Sequence, residues 1–127
     1  MAAPKSAKLS AAAPVFVVED VKRSVEHYRK VLGFRTEFEY GNPTSYAGVE
    51  RDNLLIHLQA ARESKWKPGQ SAVYVFVTDV DALYRELKSS GARIVNGPKD
   101  YPYGMRDFDV QDLDGNSLCF GMESGRK

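Results

Sequence analysis

Cysteine occurs once in this chain of 127 residues, at Cys119, so an internal disulfide is excluded and the cysteine usage fits a reducing compartment. Charge of one sign is also missing. Lys+Arg number 18 against Asp+Glu 17, a net charge of +1, which supplies no strong field toward nucleic acid, acidic lipid or a polycation. No apolar run reaches the length needed to cross a bilayer, and the start, Met1 to Lys8, lacks the apolar core of a signal peptide. Neither a Gly-rich phosphate loop nor a nucleophile elbow occurs. Hydrophobic content of 43% and charged content of 28% are ordinary for a soluble globular chain with room for one real core. These absences predict a soluble, cytoplasmic single domain with no nucleic-acid or membrane partner.

What is present is a duplication. Val15-Phe16-Val17-Val18 runs into Glu19-Asp20-Val21, and Val73-Tyr74-Val75-Phe76-Val77 runs into Thr78-Asp79-Val80, with Asp20 and Asp79 standing 59 residues apart. Each apolar run reads as a strand, and each acid opens an amphipathic stretch that ends near a glycine, Gly33 or Gly91. Val21, Val25, Tyr28 and Leu32 form one helical stripe; Val80, Leu83, Tyr84 and Leu87 form the other. Strand-like segments follow in both halves: 34–40, Ser45–Glu50 and Leu54–Gln59 in the first, Arg93–Val95, Met105–Gln111 and Ser117–Met122 in the second. The pattern predicts an α+β fold of two βαβββ modules, whose apolar faces must be buried together. The expected division is a flexible arm over 1–11, a first module over 12–60, a connector over 61–70, a second module over 71–122 and a frayed tail over 123–127. His27, on the polar side of the first helix, is expected in solvent.

This order resembles the vicinal-oxygen-chelate superfamily of glyoxalases, extradiol dioxygenases and bleomycin-resistance proteins. The resemblance covers about residues 12–122, and the segment Asp112-Leu113-Asp114-Gly115-Asn116 is similar to the superfamily's closing hairpin. Ala13-Pro14-Val15, Tyr46 to Asp52, and Tyr101-Pro102-Tyr103-Gly104 resemble the bleomycin-resistance proteins in particular. Enzymes of the superfamily hold a divalent metal on His, Gln or Glu side chains from four strands. Alignment with that pattern puts Ala13, His57, Val73 and Cys119 at those positions. Alanine and valine offer no lone pair, and a lone imidazole and thiol do not make an oxygen-rich octahedral site. The resemblance therefore implies a chain with no metal, no cofactor and no catalytic residue of the superfamily type.

What remains is a concave, partly aromatic surface suited to binding. Tyr46 and Tyr103 fall where the bleomycin-resistance proteins carry rings that clamp a planar heteroaromatic group; each also reads as an ordinary surface or loop-anchoring aromatic. Trp66 is a candidate lid or rim, His57 a hydrogen-bonded interior residue or a cavity contact, and Cys119 a small hydrophobe facing the cavity or core. The expected function is sequestration of a planar aromatic ligand or antibiotic, with a bleomycin-like glycopeptide as one candidate, in the crevice of a homodimer whose N-terminal strands are exchanged, with Pro14 as the hinge. The alternatives are a metal-dependent glyoxalase-like or dioxygenase-like enzyme with a non-standard site around His57, and a ligand sensor that would need a partner domain. One departure stands out: proteins that sequester cationic drugs are expected to be acidic, whereas this chain has a net charge of +1, and Glu37, Glu39, Asp100, Asp107 and Asp109 are its candidates for a local acidic patch.

Overall fold

The structure is a computed structural model and describes residues 6–125; the first five residues of the expected arm and the last two of the expected tail lie outside it. The β-branched run Val15–Val18 forms β1. The Asp20 side chain then accepts from the Arg23 backbone N–H at 3.1 Å and opens α1, Val21–Lys30. β2 (Arg35–Tyr40), β3 (Tyr46–Arg51) and β4 (Leu54–Ala60) complete the first module. After a 3₁₀ turn at Ala61–Glu63, the second module repeats the sequence of elements. β5 is Ala72–Phe76, α2 is Val80–Ser89 with Asp79 accepting from Ala82 N, and β6 (Arg93–Asp100), β7 (Met105–Gln111) and β8 (Ser117–Glu123) follow. The result is α+β, with two four-stranded mixed sheets ordered β1-β4-β3-β2 and β5-β8-β7-β6.

The helix side of each sheet is apolar and the two sides share one core. Phe16, Val49 and Ile56 of the first sheet belong to the same buried cluster as Phe108, Leu118 and Phe120 of the second, with Tyr28 and Leu87 from the helices. Because both helix-side faces look inward, the opposite face of each sheet looks outward, and these open faces carry the site.

β6 runs five residues beyond its expected end at Val95. A second irregularity around Gly97-Pro98 lets Lys99 and Asp100 re-pair with Asp107 and Arg106, so the strand survives its proline. His27 is not in solvent as expected. It is half-buried, its Nε2 has no hydrogen-bond partner among the described residues, and burial lowers its pKa against the opposing pull of Asp112.

Two polar junctions lock the modules together. The Arg51 guanidinium forks onto the Glu86 carboxylate at 2.7 and 2.9 Å and also donates to the Leu32 carbonyl. At the other end Asn116 is fully buried: its Nδ2 donates to the Val17 carbonyl at 3.0 Å, and its Oδ1 accepts from Gly69 N and Ser71 N. Asp112, also buried, accepts from Asn116, from the Asp114 and Asn116 backbone N–H groups, and from the Tyr28 hydroxyl at 2.8 Å. Removing the Asn116 amide would leave a buried carbonyl and two N–H groups without partners. Asn116→Ala should therefore cost about 3 kcal/mol of stability, read from the urea midpoint at unchanged slope; a loss under about 1 kcal/mol would show that water replaces the amide.

Candidate ligand-binding site

On the open face of the first sheet, β3 and β4 pair so that Gly48 lies beside His57, and the parallel pairing of β1 puts Val15 on its other side. The Tyr46 hydroxyl and His57 Nδ1 share a hydrogen bond of 2.9 Å, and the two rings meet edge to face at 5.3 Å between centroids. Phe38 completes the cluster, T-shaped against His57 at 5.4 Å and nearly parallel to Tyr46 at 6.2 Å. A register shift between Thr36 and Phe38 makes this possible. Thr36 pairs with the buried Val49, so simple alternation would turn Phe38 inward too. One extra residue, Glu37, rotates it onto the open face instead, where it lies over Gly48. A Cβ at Gly48 would overlap that ring.

The second sheet repeats the device. A shift between Ile94 and Asn96 turns Asn96 outward, and its Nδ2 donates to Asp109 at 3.0 Å. Tyr74 lies over Gly121, where a Cβ would overlap its ring, and its hydroxyl donates to Asp107 Oδ2 at 3.1 Å. The Tyr103 hydroxyl donates to the same oxygen at 2.8 Å, and its ring stacks on Tyr101 at 5.3 Å and 7°. Cys119 sits between Asp107 and Asp109. Burial pushes the Cys119 thiol well up, as does its hydrogen bond with Asp109, so the thiol stays protonated. Tyr103 itself is 62% exposed and Phe76 78%, leaving an aromatic wall open to solvent.

The expected residues thus fall into two groups rather than one. Tyr46 and His57 are joined on the first sheet; Tyr103 and Cys119 gather around Asp107 on the second. Among the described residues the ring contacts of Tyr46 are with Phe38 and His57, and that of Tyr103 is with Tyr101. Trp66 belongs to neither group. It is 62% exposed on the connector, with Lys65 Nζ 4.9 Å from its ring centroid. Phe38 and Tyr74 were not anticipated from sequence, and Asp107 was read only as one of five local acids. Of the candidate acids, Asp107 and Asp109 share the second open face, whereas Glu39 pairs with Lys22 and Asp100 with Arg106.

The register also corrects the expected metal positions. Val73 pairs with buried Leu118 and packs against the core, so Ala72 and Tyr74 hold the open-face positions on β5. Ala13 precedes β1, and the neighbour of His57 is Val15. Among the described residues no three His, Cys, Asp or Glu side chains group as a potential metal set. The donors at the superfamily positions, an imidazole engaged by a phenol and a thiol held protonated, do not fit a hard divalent cation.

The Glyoxalase/Bleomycin resistance protein/Dioxygenase superfamily matches residues 10–120, and the chain belongs to that superfamily. The bleomycin-binding protein of Streptomyces verticillus, solved with copper(II)-bleomycin, is 28% identical, with 94% of this chain and 99% of that one covered and a TM-score of 0.73. TioX from Micromonospora sp. ML1 shares the fold at 23% identity, 90% and 99% coverage, and a TM-score of 0.78. A Mycolicibacterium smegmatis protein is 29% identical over 106 residues, 84% of this chain and 87% of its own.

The shared carboxylate generates a pH prediction. Burial first, and the Asp107 hydrogen bond second, raise the Tyr74 pKa to about 12. The folded state therefore favours the neutral phenol. Its stabilising effect is complete below the unfolded value of about 10 and is lost as pH rises toward about 12. Ultraviolet titration should show tyrosinate forming late in the parent and earlier in Asp107→Asn; identical curves would contradict the arrangement.

Proposed function

We propose that the chain is a metal-free, bleomycin-resistance-type binding protein that sequesters a planar aromatic molecule without converting it. The observation that carries this reading is the content of the open faces. At the positions where superfamily enzymes hold a cation, this chain has aromatic rings, an engaged imidazole and a protonated thiol. The likeness to the bleomycin-binding protein of Streptomyces verticillus, solved with copper(II)-bleomycin, supports the ligand class. Tyr46 on the first sheet and Tyr103 in the turn before β7 of the second act as the two sides of a clamp, with His57 and Cys119 on its floor and Trp66 at its rim.

Within one chain the two open faces look away from each other, so the clamp closes between two copies: the first sheet of one faces the second sheet of the other. This makes a homodimer with two equivalent crevices. Residues 6–12 are exposed and form no strand, consistent with an arm that exchanges across the dimer about a hinge at Pro14. Asp107 and Asp109 put negative charge on the second wall of each crevice, so an amine on the aromatic ligand is favoured despite the net charge of +1.

A thermal-shift series with metal-free bleomycin, copper(II)-bleomycin and planar heteroaromatic amines provides the test, because a ligand that binds only the native state raises the melting temperature. Tyr46→Ala and Tyr103→Ala should each weaken the best ligand by about 1–3 kcal/mol in calorimetry, with Tyr→Phe costing less. Wild-type affinity in both alanine variants would place the site elsewhere. Light scattering should give a dimer at micromolar concentration. Elemental analysis tests the enzymatic alternative: near-stoichiometric metal that disappears in His57→Ala would replace the binding-only reading with a metal site around that imidazole.

A further inference from the structure

Asp107 stands in the middle of the second open face, on β7 between β8 and β6, and is only 3% exposed. Among the described residues no lysine or arginine forms an ion pair with it. Lys99, its Cα partner on β6, instead holds its ammonium 5.5 Å from the Tyr101 ring centroid. A buried carboxylate without a cation is tolerated only where neutral donors replace the lost water. Asp107 has three such donors: the Tyr74 hydroxyl, the Tyr103 hydroxyl and the Cys119 thiol.

The two phenols arrive from opposite sides. Tyr74 belongs to β5, the outer strand, and its ring crosses β8 above Gly121, the Cα partner of Asp107, where no Cβ blocks the way. Tyr103 comes from the turn between β6 and β7, and its 62% exposed ring stacks on Tyr101. Both hydroxyls end on Asp107 Oδ2, at 3.1 and 2.8 Å, and two donors fill the lone pairs of that oxygen. One atom thus joins a turn at one side of the face to the edge strand at the other. Asp109, two residues on, differs: it is half-buried and accepts from the Asn96 amide and the thiol.

We propose that Asp107 is a positioning residue, whose Oδ2 sets Tyr103 and Tyr74 as one preformed aromatic wall, and that Asp109 is the carboxylate that selects a ligand by charge. The proposal deepens the reading of the open faces as a ligand crevice and rests on it. An exposed tyrosine in a turn has rotamer freedom that a stacking ligand must remove. A ring already tied down loses less on binding, so the tie is felt as affinity for any planar ring, charged or not. An oxygen filled by two phenols has no lone pair left for an ammonium, and offering one would release a ring. The half-buried Asp109 carries no such duty.

The probes are naphthylmethanol and naphthylmethylamine, one ring system without and with a charge, titrated into the intact protein at neutral pH by calorimetry. Asp107→Ala should weaken both by about tenfold. Asp107→Asn keeps an acceptor and should stay within about threefold of the parent for the alcohol, whereas Asp109→Asn should weaken the amine more than the alcohol. Tyr103→Phe keeps the ring and the charge and removes one tie. It should weaken the alcohol by about threefold, and it serves the test even if Asp107→Ala fails to fold. In the ligand-free protein, the order parameters of the Tyr103 and Gly104 amides should fall in both Asp107→Ala and Tyr103→Phe. Parent-like affinity for the alcohol in either variant, or loss of the amine alone in Asp107→Ala, would overturn the proposal. If neither probe binds the parent, the crevice reading fails for planar aromatic ligands, and the order parameters alone decide whether Asp107 positions the rings: unchanged values overturn that role.

Discussion

Asn116 is buried completely, and its amide bonds three separate segments: the Val17 carbonyl at the end of β1, and the Gly69 and Ser71 N–H groups just before β5. Asp112 holds that amide in place and reaches into the first module to bond the Tyr28 hydroxyl. Among the described residues the two modules share no strand pairing, so their relative placement depends on this junction, on the Arg51–Glu86 fork and on the common apolar core. Fixing the helix sides inward leaves the two aromatic faces outward. Everything proposed for ligand binding follows from that constraint. Burying these polar groups is stabilising only because every one of them is bonded; a partly satisfied junction would favour modules that shift against each other.

The open faces are built by one device used twice. A bulge in the second strand of each module rotates a side chain outward, Phe38 in one case and Asn96 in the other. A glycine on an inner strand makes room for a ring to lie flat, Gly48 under Phe38 and Gly121 under Tyr74. The two faces nevertheless differ in chemistry. The first is an aromatic box of Phe38, Tyr46 and His57, whereas the second carries Asp107 and Asp109 among tyrosines. A crevice made of one face from each copy would grip a ring on one side and direct a hydrogen-bond donor or a cation to the other.

Much of the architecture was legible in the sequence because its signals are local. The apolar runs ending at Asp20 and Asp79, the two caps and the helical stripes define both modules, and the fold follows from repeating them. Tyr46, His57, Tyr103 and Cys119 were also readable as open-face candidates from strand alternation and family likeness. Phe38 and Asn96 were not, because a one-residue bulge reverses which face a side chain takes and leaves no mark in composition. Val73 was misplaced for a related reason: an alignment off by one residue exchanges the core side of a strand for the open side. The Asp112 to Asn116 segment was recognisable as a family turn, but its role at the module junction depends on partners 84 and 99 residues away in sequence, Tyr28 and Val17.

The proposed crevice needs Tyr46 from one copy and Tyr103 from the other. Mixing Tyr46→Ala protein with Tyr103→Ala protein under conditions that exchange subunits tests this directly. Half of the resulting dimers contain one crevice with both tyrosines intact, so calorimetry with the best ligand should recover wild-type affinity at about one crevice in four. If the two tyrosines instead served a site within a single chain, every site in the mixture would keep one defect, and no wild-type binding would return.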